Sequence, residues 1–416
     1  MAHDLIMGRP LRIAMIGTRG VPAAYGGFET AVEEIGRRMV EQGHEVTVYC
    51  RRTDAAPRSE YLGMKLAYLP ALRLKTAETL SHSALSVAHA VTRARRADTA
   101  FVFNAANAPF VPALRARGIP VALHVDGLEW KRDKWGANGR RYYRWAEQQA
   151  VRHADALIAD AQGISDYYRT EFGIPTELLT YGAPILRDAP ADRLSELGLL
   201  PGEFHLVVAR FEPENHVDVI LEGYRASGAT KPLVVVGSAP YAAAHTERIR
   251  SIATHDDRIR LVGGVYDQDL LDQLYAHAST YLHGHSVGGT NPSLLRAMGA
   301  GTAVIAWDVV FNREVAGTSA SYFSDPATLA ALIDDVETQP SRFAEMAAAL
   351  QSRAEANYHW DSVTAGYLEL AERLVAGYST SGPGHPRSTE STWSTGSSAG
   401  DGASAPTLVD HEDRLL

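Results

Sequence analysis

One pattern runs through the chain twice: short, almost wholly apolar runs alternate with stretches of helical spacing. LRIAMIG (11–17), EVTVYC (45–50), KLAYLP (65–70), TAFVFN (99–104), PVALHV (120–125) and ALIAD (156–160) make the first series. FHLVVAR (204–210), PLVVVG (232–237), RIRLVGG (258–264), STYLHG (279–284) and AVIAWD (303–308) make the second. Over 29–42, Val32, Ile35, Met39 and Val40 recur at helical spacing. Runs that are apolar at consecutive positions, rather than alternate ones, predict strands covered on both faces. Strands separated by helices predict a parallel, doubly wound sheet. The fold class that follows is α/β, with two Rossmann-like parallel-sheet domains facing across a cleft. Ligands of such sheets bind at the C-terminal strand ends, so both domains can face one ligand.

At 416 residues the chain exceeds one ordinary core. The expected organisation is a first domain over 11–182, a linker over 183–200 containing Pro184 and Pro190, and a second domain over 201–357. A last amphipathic helix follows within 358–376. The remainder, 377–416, is rich in Ser, Gly, Thr and Pro and reads as a disordered tail.

The single cysteine, Cys50, excludes an internal disulfide framework and fits a reducing compartment. The opening MAHDLIMGRP lacks the charged-then-apolar layout of a signal peptide. No apolar run approaches the ~20 residues that span a bilayer. The expectation is a cytoplasmic protein whose membrane contact, if any, is peripheral and from the inner face. Residues 1–190 carry 25 Lys and Arg against 20 Asp and Glu, and the rest carry 15 against 29. A basic front half points to an anionic partner, and a merely solvated surface is the alternative.

The first strand runs into Gly17-Thr18-Arg19-Gly20 and then Gly26-Gly27 directly before a helix. Glycines there let backbone approach a ligand, and a helix start offers free N–H groups to phosphate. Gly17 and Gly20 can equally serve only the tight turn. A dinucleotide-binding oxidoreductase would want G-x-G-x-x-G and an acidic residue ending the second strand. This chain has Cys50-Arg51-Arg52 there, which leaves an NADP enzyme as an alternative.

In the second series Arg210 ends a strand, where a guanidinium can clamp a diphosphate with paired hydrogen bonds. A surface ion pair to Glu212 or Glu214 is the plainer reading. The segment His283-Gly284-His285-Ser286-Val287-Gly288-Gly289-Thr290-Asn291-Pro292 places Asn291 as a helix cap and Pro292 at the first helical position. Its glycine pair and capped helix make a second anion site. His-x-His without a third ligand or carboxylate is no metal site, so no metal is expected. One histidine is expected to contact substrate, the other to be structural. His124 and Asp126 lie two apart near the end of a strand, on one side of it, facing the same cleft. An imidazole and a carboxylate so placed suit acid–base or hydroxyl contacts. Basic and aromatic residues interleave from Trp130 to Trp145, which suits anionic lipid or simply an amphipathic helix.

Four ordered segments, IGTRGVPAAYGGFET, HVDGLEWKRDKWG, VVARFEPEN and HSVGGTNPSLLRAMGAG, resemble family 4 retaining glycosyltransferases of the GT-B fold. The nearest likeness is to bacterial polysaccharide enzymes of the rhamnosyltransferase type. The resemblance covers about residues 11–376. It implies that Arg19, Gly26 and Gly27 approach the donor diphosphate or the acceptor, and that His124 sits beside the transferred sugar. It implies that Arg210 binds the diphosphate, with Gly288, Gly289, Thr290 and Asn291 giving backbone N–H groups to the phosphates. Glu214, Asn215, His285 and Arg296 fall among the substrate-binding positions. The final helix, with Trp360 and Tyr367, would cross back to the first domain. The implied partners are a nucleotide sugar and a saccharide or lipid-linked acceptor, with no cofactor and no nucleic acid. The chain departs from the family in two places. Asn215 replaces a lysine of the diphosphate pair, and Gly288 and Arg296 replace two glutamates, the second of which holds the ribose hydroxyls. A deoxythymidine donor, which lacks the ribose 2′-hydroxyl, fits that loss. A sugar-nucleotide epimerase and a catalytically degenerate binding protein are the other readings.

Overall fold

The computed structural model describes residues 9–23, 26–52, 56–72, 77–125, 127–132, 135–237 and 243–380. The first lobe opens with β1 (Arg12–Ile16), α1 (Gly27–Glu41), β2 (Glu45–Arg51), β3 (Glu60–Tyr61), β4 (Met64–Leu69) and α2 (Glu78–Thr92). It continues with β5 (Thr99–Phe103), α3 (Val111–Ala116), β6 (Val121–His124), α4 (Ala137–His153), β7 (Ala156–Ala159), α5 (Gln162–Phe172) and β8 (Glu177–Leu178). The second lobe comprises β9 (His205–Val208), α6 (Val217–Ala226), β10 (Leu233–Val236), α7 (Ala243–Ala253), β11 (Ile259–Gly263), α8 (Gln268–His277) and β12 (Thr280–His283). Then come α9 (Pro292–Gly299), β13 (Val304–Trp307), α10 (Val310–Ala316), β14 (Ser321–Phe323), α11 (Pro326–Thr338), α12 (Pro340–Asn357) and α13 (Trp360–Val375).

The first sheet has the order β3-β4-β2-β1-β5-β6-β7-β8 and the second β11-β10-β9-β12-β13-β14. All neighbours are parallel except β3 and β4, an antiparallel hairpin at the edge of the first sheet. Alternate residues of each strand feed different cores. Ile13 and Met15 join one apolar cluster, Ala14 and Ile16 another. That two-sided burial is why the strand sequences are apolar at consecutive positions. In the second lobe Val234 and Val236 belong to the same cluster as Ile13, while Leu233 and Val235 belong to the layer on the opposite face of the sheet. One apolar cluster therefore runs through both lobes.

The order of each sheet reverses beside its first strand, between β1 and β5 and between β9 and β12, which is where open α/β sheets bind ligands. The segment expected to be a linker packs closely: Ala183 N–H donates to Tyr358 O at 2.7 Å and Leu186 N–H to Gly299 O at 2.9 Å. Leu194, in a short 3-10 turn, is buried.

Helix α13 crosses back onto the first lobe. Tyr367 is buried edge-on against Phe101 of β5, with ring centroids 5.1 Å apart. Arg38 of α1 pairs with Asp361 at 2.6 Å, and Arg373 makes two bonds of 3.0 Å to Glu177. Residues 377–380, read from composition as the start of a disordered tail, are held to the first lobe. Tyr378 donates to Glu177 at 2.7 Å beneath the Arg373 guanidinium, and Thr380 N–H donates to Asp155 O. Two polar anchors and one ring hold Gly377–Thr380 to the first lobe; residues 381–416 lie outside the described residues.

Candidate active site

In the first lobe, the glycine loop is held by its own helix. Glu29 of α1 accepts from Arg19 N–H at 2.9 Å, and Glu33 accepts from Ala23 N–H at 2.6 Å. Gly17 (φ +106) lies on the backbone of Phe103, and Gly20 (φ +103) on Cys50. A side chain at either position would strike these neighbours, so both glycines serve the turn. Gly26 caps α1 with φ 113. Gly27 meets the other lobe, since a Cβ there would stand 3.0 Å from Pro292 Cγ. The starts of α1 and α9 therefore meet across the cleft, and the positive ends of both helix dipoles lie together there.

His124 ends β6 inside an aromatic box. Phe28 stands edge-on at 5.0 Å, Phe103 stacks at 5.8 Å and Tyr181 lies at 6.2 Å. Burial pulls its pKa down to about 3, so the ring is neutral and acts as a hydrogen-bonding group. Asp126, its proposed companion, lies outside the described residues. One step further, Gly127 touches the second lobe: a Cβ there would sit 2.6 Å from Gly288 Cα.

In the second lobe, Arg210 follows β9 with its side chain 39% exposed, 3.6 Å from Glu212. Asn215 does not point into the cleft. It is buried and donates its amide to Arg210 O at 2.8 Å, so it braces the arginine's backbone. His216 Nδ1 stands 2.8 Å from Gly284 O, and its ring stacks on Trp307 at 3.7 Å. Ser286 donates twice to Glu214 O, at 3.0 Å from N–H and from Oγ. These bonds lock the Arg210 turn to the loop after β12. Of the two histidines, His283 is buried beside Tyr281 OH at 3.2 Å, while His285 stacks on it at 4.5 Å and is partly open. Burial and the neighbouring His283, Arg210, Arg132 and His216 hold His285 well below its ordinary pKa.

Asn291 caps α9 by accepting from Ser293 N–H at 2.9 Å, with Pro292 at the first helical position, as the sequence predicts. Thr290 Oγ1 donates to Asp160 O at the end of β7. A Cβ on Gly289 would overlap the Asp160 carboxylate. The phosphate-type loop of the second lobe thus seats on the first. Arg296 neither faces solvent nor reaches the gap; it ion-pairs with Asp272 of α8.

Two residues that sequence reasoning did not single out join this site. Arg132, after β6, pairs with Glu129 at 2.5 Å and lies 3.7 Å from Glu214 of the other lobe. Asp160 is buried, and burial, with Glu314 behind it, raises its carboxyl to about 7. In sequence Arg132 was one of several cations in a basic run, and Asp160 was a strand's last residue. Elsewhere in that run, Tyr143 is buried, Trp145 is 45% exposed and Arg144 stacks over Trp130 at 4.5 Å. Arg51, which an NADP site would need, is engaged by Glu78 at 3.1 Å and Thr79 at 2.9 Å.

Residues 204–338 match the family described as glycosyl transferases group 1, and residues 11–184 match a domain of unknown function (DUF1972). Among solved structures, sucrose-phosphate synthase from Thermosynechococcus elongatus is similar with a TM-score of 0.74 at 19% identity, over 88% of this chain and 99% of that one. HepE from Anabaena, in complex with UDP-glucose, gives 0.69 at 15% identity over 86% and 99%. An α,α-trehalose-phosphate synthase (UDP-forming) from Burkholderia vietnamiensis gives 0.64 at 12% identity over 87% and 99%. No curated protein sequence matches significantly. The fold is GT-B, two parallel-sheet lobes around a shared cleft, and the second lobe matches a group 1 glycosyl transferase domain.

Proposed function

We propose that the protein is a hexosyltransferase that moves a sugar from a nucleotide-sugar donor to a saccharide or polyprenyl-diphosphate-linked acceptor, with retention of configuration. The observation that carries this reading is the meeting of Gly27 and Pro292: two helix starts converge, and the charges of Arg210 and Arg132 both act on His285 in the loop that leads into the second of them. Amide-rich helix starts and guanidinium groups suit a diphosphate leaving group. The complexes of similar proteins with UDP-glucose and with UDP-2-fluoroglucose support a donor of this class.

In this reading the diphosphate rests against Gly288–Asn291 and Arg210, which carry the leaving-group charge without a metal. The bond from the anomeric carbon to phosphate oxygen breaks. The acceptor oxygen bonds to that carbon from the same face, and its proton passes to the departing phosphate. Neutral His124 accepts or donates a hydrogen bond to the sugar from its aromatic box. The donor is dTDP-rhamnose, the pathway cell-surface polysaccharide synthesis, and the compartment the cytoplasm. Exposed Trp145 beside Arg141 and Arg144 supports contact with an anionic membrane surface.

Thermal stabilisation by dTDP, UDP and GDP, followed by product assays with the matching sugar nucleotides and a lipid-linked acceptor, tests the reading. A bound ligand at ~100 times its dissociation constant adds about 2.7 kcal/mol of apparent stability. Binding of none of the three removes the transferase; preference for UDP or GDP removes only the deoxythymidine donor. Asn215 turned to backbone and Arg296 paired with Asp272 favour a second reading, a non-catalytic sugar-nucleotide binder. Turnover by the wild-type protein eliminates it.

A further inference from the structure

Among the described residues, two carboxylates at the meeting of the lobes lack the donors that burial demands. Glu214, in the turn after β9, has a side chain 3% exposed, and among the described residues neither of its oxygens has a hydrogen-bond partner. Asp160, at the end of β7 in the other lobe, is equally buried, and its Oδ1 has no partner among the described residues. A buried carboxylate without donors is costly, and a nearby cation alone does not satisfy its lone pairs. Arg132 stands by both. It is 3.7 Å from Glu214, yet its closer partner is Glu129 at 2.5 Å, and its charge also acts on Asp160.

The chemistry of the missing partner follows from the acceptors. A carboxylate repels a phosphate and accepts from hydroxyl or amide donors. Asp160 abuts Gly289, and the Glu214 backbone is bonded to Ser286, so both groups flank the loop that would hold the diphosphate. Two parts of a nucleotide sugar carry neutral O–H donors, the hexose and the nucleoside sugar, and a free nucleoside diphosphate keeps the second while lacking the first.

We propose that Glu214 and Asp160 accept hydrogen bonds from hydroxyl groups of the transferred sugar, one from each lobe, with Arg132 balancing their charge. The inference rests on the transferase reading and adds the residues that recognise the sugar rather than the nucleotide. A free nucleoside diphosphate leaves both carboxylates unsatisfied, whereas a sugar nucleotide satisfies them only when the lobes meet.

The test is calorimetric titration of the full-length wild-type, Glu214→Gln and Asp160→Asn proteins with dTDP, dTDP-rhamnose, UDP and UDP-glucose. Melting curves without ligand confirm folding of each variant. The wild type should bind the preferred sugar nucleotide more tightly than its diphosphate. Each variant should weaken the sugar nucleotide on the order of tenfold, the loss of one charge-assisted hydrogen bond, and leave the diphosphate unchanged. Equal loss for both ligands, no loss for either, or equal wild-type affinity for both overturns the assignment while leaving a nucleotide site intact. No nucleotide binding by the wild type removes the transferase reading together with it.

Discussion

Position 289 favours glycine, because its Cα faces the Asp160 carboxylate of the other lobe. A methyl group there must push the carboxylate aside or part the lobes, at about 1–3 kcal/mol. Gly289→Ala should therefore raise the KM for donor ten- to hundredfold and lower the melting temperature by a few degrees, since the strain raises the free energy of the folded state. Steady-state kinetics beside a melting curve decide this, and an unchanged KM contradicts it. Arg210→Ala should lower kcat/KM by about 2–4 kcal/mol if the guanidinium carries leaving-group charge; wild-type turnover in that variant rules the role out. Glu147 of α4 gives a pH signature. Burial raises its carboxyl from 4.5 to about 7, although Tyr167 OH donates to it at 3.1 Å. The folded-state pKa is the higher one, so between about pH 4.5 and 7 the native chain holds a proton that the unfolded chain has released. Stability then falls as pH rises through that window. Glu147→Gln should flatten that slope and add about 1–3 kcal/mol at pH 8, measured by urea unfolding at pH 5 and pH 8. At this scale the glycine turns and the Asn291 cap were legible in the sequence, because loop chemistry is local. Arg132 stayed hidden among Lys131, Arg140 and Arg141, because only the ion pair with Glu129 and the opposing lobe decide which cation turns inward.

The apolar runs became strands with ends shifted by a residue or two, because two-sided burial leaves a signature that survives without knowledge of the partners. The short strands β3, β8 and β14 were not legible: two or three residues carry no periodicity, and their extended form comes from pairing with a longer neighbour. Asn215 and Arg296 were placed toward ligand by position alone; their side chains turn instead to a carbonyl and to Asp272. Helix α13 was legible as a helix by its spacing, but its docking on β5 and α1 depends on contacts some 260 to 330 residues away in sequence. Its largest wholly buried ring is the Tyr367 side chain, so Tyr367→Ala should cost about 3–5 kcal/mol. Chemical denaturation would show it, and a loss under about 1 kcal/mol would mean that the helix contributes little to the fold.

At the scale of the whole molecule, the lobes share one apolar cluster, a crossing helix and a ring of cleft contacts. The first lobe is incomplete by itself, since Phe101 and Glu177 find their partners on α13 and at Tyr378. A fragment ending at residue 182 should bind the dye ANS and aggregate, and supplying residues 358–380 on a separate peptide should reduce both. A monomeric fragment without dye binding contradicts that. The same crossing sets the order of events during synthesis. The strands of the first sheet leave the ribosome early, yet the helix that seals them is translated only after the whole second lobe. The first lobe must therefore wait, with an apolar strip uncovered, while the entire second lobe emerges, and the cleft cannot reach its working geometry until Val375 has been added.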